Sequence, residues 1–114
     1  MSQPANWIAA CAIGELEIDD AITFRHAERT FAVYRTETGF YATDGICTHQ
    51  HALLADGLVM DDIVECPLHQ GRFDIRSGKA ISSPACVNLQ TYPVKEENGK
   101  VMLNFASADA TAGA

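Results

Sequence analysis

Two short stretches of this sequence carry side chains whose types and spacing can do chemistry. Cys47-Thr48-His49 and Cys66-Pro67-Leu68-His69 each join a thiol to an imidazole, and sixteen residues (50 to 65) separate them. Four-coordinate zinc accepts two cysteines and two histidines and would make the chain a structural module. A two-iron, two-sulfur cluster can use the same groups differently, with both thiolates on one iron and both imidazoles on the other. Common zinc modules pair like ligands with like, or place them on a ββα unit with about twelve residues between the pairs. Here each pair is mixed, which makes sense if each loop gives one ligand to each iron.

Such loops need strands to position them, and the chain supplies many short ones. Trp7-Ile8-Ala9-Ala10 reads as a first strand that ends before Gly14. Ala21 to Arg25 and Thr30 to Arg35 are rich in β-branched and aromatic residues, with the polar turn His26-Ala27-Glu28-Arg29 between them. Glu37-Thr38-Gly39 signals another hairpin into Phe40 to Thr43, and Asp44-Gly45 breaks that strand just before Cys47. Ala52 to Ala55 suits one helical turn, and Leu58 to Met60 and Ile63 to Glu65 form a hairpin about Asp61-Asp62 that delivers Cys66. Arg72 to Ile75 is a strand, Ser77-Gly78 a turn, and Ser82-Ser83-Pro84-Ala85 a loop that proline keeps out of any ladder. Leu89 to Glu96 and Val101 to Phe105 make a last hairpin about Glu97 to Lys100. This pattern predicts an all-β sandwich or barrel. The small, polar stretch 106–114 is expected to be a flexible tail.

At 114 residues the chain fits one domain. Apolar content of 47% and charged content of 20% are ordinary for a globular protein. Fifteen acidic against 8 basic residues give a net charge of −7, which argues against nucleic acid as a partner and suits steered encounter with a basic protein patch. No run approaches the ~20 apolar residues of a membrane span. The segment from Met1 to Cys11 has no basic residue and does not read as an export signal. A cytoplasmic location is therefore expected, where thiols stay reduced and the four cysteines read as ligands and spares rather than disulfides.

Cys47-Thr48-His49 taken with Cys66-Pro67-Leu68-His69-Gln70-Gly71-Arg72-Phe73-Asp74 resembles the Rieske-type [2Fe–2S] ferredoxins of bacterial ring-hydroxylating oxygenase systems, which act in aromatic hydrocarbon catabolism. The resemblance runs from Trp7 to Phe105 and includes Tyr41 and Asp44 ahead of the first cysteine and Ser83-Pro84 after the second. It implies a Rieske fold over residues 1–105: an antiparallel, sandwich-like base domain with a small cluster-binding subdomain inserted at about 43–84. It implies that Cys47 and Cys66 hold the buried iron of one Rieske-type [2Fe–2S] cluster, that His49 and His69 hold the outer iron, and that Pro84 belongs to a loop covering the cluster. The implied role is to carry one electron from a flavin-dependent NAD(P)H reductase to a terminal oxygenase.

Some residues depart from the family pattern or stand outside it. Gln70 occupies a position often held by glycine, and Gln50 replaces a common small residue; both read as loop variation. His51 and His26 read as surface histidines, and Cys11 and Cys86 as core or near-core thiols. Trp7, Phe31, Phe40, Tyr92 and Phe105 are expected in the core, while Asp19-Asp20 and Asp61-Asp62 suit turns. The chain is not expected to be an enzyme. A non-haem iron centre needs two further histidines and a carboxylate, only His26 and His51 remain, and no dinucleotide-binding glycine pattern is present. Two other readings stay open: a Rieske-like small subunit of a larger oxidoreductase such as nitrite reductase, and a zinc-stabilised interaction module.

Replacing two thiolates by neutral imidazoles lifts such a cluster from about −400 mV into a window of roughly −150 to +300 mV. High-potential respiratory relatives add a cysteine to each loop and place serine and tyrosine hydroxyls near the cluster sulfurs. The corresponding positions here read Leu68, Gly71 and Phe73, with no thiol or hydroxyl. The expected midpoint is therefore near about −150 mV; a value above zero in a redox titration would contradict it.

Overall fold

The run Phe31-Ala32-Val33-Tyr34 is apolar at four successive positions, a pattern that suits a strand covered on both faces. In the computed structural model, which describes residues 7–47, 52–67, 71–82 and 88–105, all four side chains are at most 1% exposed. Phe31 and Val33 point into one core and Ala32 and Tyr34 into another. The chain is built outward from this strand as three antiparallel sheets, so the expected all-β class holds.

The strands in chain order are β1 (Trp7–Ala12), β2 (Asp20–His26), β3 (Arg29–Thr36), β4 (Gly39–Asp44), β5 (Leu58–Met60), β6 (Ile63–Glu65), β7 (Arg72–Asp74), β8 (Ala80–Ser82), β9 (Thr91–Tyr92), β10 (Val94–Glu97) and β11 (Lys100–Asn104). One sheet runs β1-β11-β10, a second β2-β3-β4-β9 and a third β5-β6-β7-β8. The core between the first two sheets holds Cys11, Leu16, Phe31, Val33, Ala42, Tyr92, Val101 and Leu103. On the other face of the second sheet, Ala32 and Tyr34 join Leu54, Val59, Val64, Phe73, Ile75 and Leu89, and with them Cys47 and Cys66. Full burial of a side chain such as Phe31 or Val33 contributes about 1.5–3 kcal/mol. Every buried side-chain nitrogen and oxygen among the described residues has a hydrogen-bond partner.

Several expectations shift by a residue or two, for local reasons. Leu89 to Glu96 is not one strand. Pro93 has no N–H to give a ladder, and the chain changes sheets there: Ala42 and Thr43 of β4 pair with β9, and β10 pairs with β11. The expected helical turn falls at Leu54–Asp56 as a 3-10 turn, and Ala80–Ser82 forms an edge strand where a loop was expected to begin. The turn after β2 tightens to Ala27-Glu28, both at positive φ, so His26 pairs with Arg29. The same left-handed pair of residues recurs at Asp61-Asp62 and Asn98-Gly99, as twisted two-residue hairpins require. His26 is half-buried rather than at the surface, with its ring 5.1 Å from that of Phe105. Trp7 is only partly buried, with the Lys95 ammonium 4.5 Å from its ring centre. The expected tail, 106–114, lies outside the described residues.

At two glycines another stretch of backbone passes too close for a side chain. A Cβ on Gly45 would stand 2.8 Å from the backbone carbon of Phe31, and one on Gly57 would stand 2.0 Å from the carbonyl oxygen of Glu65. Neither obstacle is a flexible side-chain end, so backbone must move. Gly57→Ala should cost about 3 kcal/mol, read from the denaturant midpoint. Gly14→Ala, with nothing within 4 Å of the new methyl, should stay within about 0.5 kcal/mol of the parent. Equal effects would refute the close-approach argument.

Candidate metal centre

Cys47 stands three residues beyond the end of β4, and Cys66 directly follows β6. Both are buried, at 5% and 1% exposure, in one apolar cluster with Tyr34, Leu54, Val64 and Phe73. The two ligand loops close in the same way. The Cys47 amide donates to the carbonyl of Ala52 at 2.9 Å, and the Cys66 amide donates to the carbonyl of Gly71 at 2.7 Å. In each case the acceptor lies five residues ahead, so each cysteine opens a tight loop that contains its expected histidine partner. The first loop is braced further by a bridge between Ile46 and Leu53 and by the Leu54 amide on the Gly45 carbonyl at 2.9 Å.

His49 and His69 lie outside the described residues, as do Gln50, His51, Leu68, Gln70, Ser83, Pro84 and Cys86. Among the described residues no three His, Cys, Asp or Glu side chains gather as a metal site. Cys47 and Cys66 are thus the described half of the expected ligand set. Their surroundings fit an iron–sulfur cluster: two soft sulfur donors, shielded from water and held in one apolar core at the head of matched loops. Phe73 is fully buried in that core, and Gly71 offers the cluster region no hydroxyl. Cys11 is a core thiol, as expected, buried with Phe31, Val33 and Val101; burial first, and then nearby Glu15, raise its thiol pKa.

The strand leading to Cys47 is pinned by a polar network that sequence reasoning did not assemble. Tyr34 and Thr43 share a hydrogen bond between hydroxyls at 2.8 Å, and Thr43 donates to the Asp44 carbonyl at 2.7 Å. On the opposite side of the sheet the Tyr92 hydroxyl donates to the Asp44 carboxylate and accepts from Arg29 at 3.3 Å. The Arg29 guanidinium also lies 5.3 Å from the Phe31 ring centre and 5.8 Å from that of Tyr92. The Asp44 and Gly45 amides donate to the carbonyls of Gln90 and Thr30, each at 2.9 Å. Burial is the main reason both phenols titrate well above the usual tyrosine range. The Asp44 carboxylate adds to the rise, while Thr43 partly offsets it at Tyr34 and Arg29 at Tyr92. Both therefore stay protonated donors near neutral pH. Tyr92 reads as a core aromatic in the sequence, and nothing in its spacing ties its hydroxyl to a residue 48 positions away.

Comparison with known proteins agrees with this geometry. Residues 6–93 match the family model of the Rieske [2Fe-2S] domain. The ferredoxin component of the naphthalene 1,2-dioxygenase/salicylate 5-hydroxylase systems of a Ralstonia species is 43% identical over 100 residues, spanning 88% of this chain and 96% of the relative. A chain in the solved complex of reduced oxygenase and oxidized ferredoxin of carbazole 1,9a-dioxygenase superposes with a TM-score of 0.82 at 33% identity, covering 86% of this chain and 92% of that one. A nitrite reductase small subunit from Mycobacterium tuberculosis, with a TM-score of 0.75 over 85% of this chain and 92% of its own, is only 21% identical and shares the fold alone. Buried thiols at the head of matched loops, in a chain alike along most of its length to ferredoxin components, lead to one family. The chain belongs to the Rieske [2Fe-2S] proteins, as a ferredoxin that carries electrons on its cluster and is not itself the oxygenase.

Proposed function

We propose that Cys47 and Cys66 hold one iron of the cluster and His49 and His69 the other, and that the chain passes single electrons from a flavin-dependent NAD(P)H reductase to a terminal ring-hydroxylating oxygenase. The observation that carries the ligand assignment is the matched closure of the two cysteine loops over one buried core. Relatives named as ferredoxin components of dioxygenase systems support the partner assignment. When bound, the cluster supplies a one-electron store with its potential raised by imidazole ligation.

The protein's own residues do the remaining work. Val64, Phe73 and Leu54 exclude water from the cysteine sulfurs, and the amides of Cys47 and Cys66 fix where each loop starts. Tyr34, Thr43, Tyr92 and Arg29 hold the strand that feeds the first loop. On this reading residues 1–105 form one Rieske domain whose segment from about 43 to 84 is the cluster-binding insertion, in a cytoplasmic chain. Among the described residues no helix is long and apolar enough to cross a membrane.

Two measurements test the proposal. The purified chain should be red-brown and, once reduced with dithionite, give an anisotropic paramagnetic resonance signal. Cys66→Ser should abolish it, while His49→Cys should retain iron at a lower midpoint potential. A colourless protein that binds zinc, or a His49→Cys spectrum identical to the parent's, would refute the ligation. Because the chain carries −7 net charge, electron transfer to its partners should slow as salt rises; turnover indifferent to salt would exclude electrostatic docking.

A further inference from the structure

The third sheet has one buried face and one bare one. Val59, Val64 and Phe73 point into the core beside Cys66, while Leu58 and Met60 are 55% and 50% exposed. The register places Leu58 opposite Glu65, Glu65 opposite Arg72, and Met60 opposite Ile63. Leu58, Met60 and Ile63 therefore share one outward face with the Glu65–Arg72 pair, whose atoms are 3.2 Å apart. A shallow groove of about 230 Å³ runs over it, with Asp61 on its rim. Leu58 and Glu65 also line a second groove of about 310 Å³ that reaches Asp56, Cys66 and Pro67. At the other end Asp61 is shared with a third groove, lined by Asp19, Glu37, Thr38 and Asp62.

The result is a continuous strip: the Cys66 loop, then a bare apolar patch, then a group of carboxylates. Contiguous exposed apolar side chains rimmed by polar ones mark a contact surface, and Leu58, Met60 and Ile63 are contiguous here. The Arg72 guanidinium is paired with Glu65, so among the described residues Asp56 and Asp61 leave the lining of the two grooves negative. A second copy would bring acid against acid in a chain of net charge −7. The fitting occupant is a protein that offers an apolar spot beside clustered Lys and Arg. Seated there, it would stand beside Cys66 and Pro67, at the start of the second ligand loop.

We propose that this outer face of β5, β6 and β7 is a docking surface for the terminal oxygenase, with Leu58 and Met60 as its apolar anchors and Asp61 and Asp62 as its charged end. The inference rests on the functional reading above. A ferredoxin and an oxygenase are found together in the solved complex to which this fold is similar, which favours the oxygenase over other basic partners.

The test uses the cluster-loaded chain and the double variant Leu58→Asn/Met60→Gln, whose side chains are exposed enough to leave folding alone. Absorption, paramagnetic resonance and midpoint potential should match the parent. The ferredoxin concentration giving half-maximal reduction of the oxygenase should rise about tenfold, while the corresponding value for the reductase stays unchanged. Asp61→Asn/Asp62→Asn should weaken the same step and flatten its salt dependence. Unchanged transfer to the oxygenase would overturn the docking surface. So would a defect confined to the reductase step, or a parent dimer in sedimentation that the apolar double variant abolishes. If the parent chain reduces no ring-hydroxylating oxygenase, the functional reading falls and the docking surface with it; a parent that transfers electrons and a variant that does so equally well refute the surface alone.

Discussion

A single strand buried on both faces underlies the whole arrangement. β3 must satisfy two cores at once, and it does so by alternating Phe31 and Val33 against Ala32 and Tyr34. One core builds the base of the molecule; the other is the floor on which both cysteine loops stand. Because the same strand serves both, the cysteines are fixed relative to the base without a separate linker. A one-residue slip in β3 would exchange the two sets of side chains and put Tyr34 where Val33 packs. The difference in size between Val33 and Tyr34, and the Tyr34 hydroxyl bond to Thr43, oppose this slip, while the apolar run itself is the plainest strand signal in the sequence.

Within the core shared by both cysteines the Tyr34 hydroxyl is turned to Thr43, beneath the strand that leads to Cys47. Phe73, fully buried in that core, brings no hydroxyl to it. The polar network through Tyr92, Asp44 and Arg29 works at the other side of β4, where it holds geometry rather than tuning charge near the sulfurs.

Much of this was legible in the sequence because the signals are local. The mixed Cys and His pairs pointed to Cys47 and Cys66, which lie in one buried cluster, and Asp61-Asp62 placed the hairpin that delivers Cys66 with its strands at the residues expected. What escaped depends on residues far apart in the chain. Pro93 was visible, but only the fold shows that the chain changes sheets there. His26 looked like a turn residue because Ala27-Glu28 carries no glycine or asparagine, yet both residues adopt left-handed backbone and the strands run on to the turn. Trp7 looked like core by its size, and instead lies at a sheet end under Lys95. Gly45 and Gly57 gave no sign of their role, since close approach to the backbone of Phe31 and Glu65 is a property of packing.

Mixed ligation from two matched loops is the central claim, and pulsed paramagnetic resonance of the reduced protein tests it most directly. Two inequivalent nitrogen couplings to the cluster are predicted, one lost in His49→Cys and the other in His69→Cys. A reduced cluster without strongly coupled nitrogen, or one whose couplings survive both substitutions, would contradict the account.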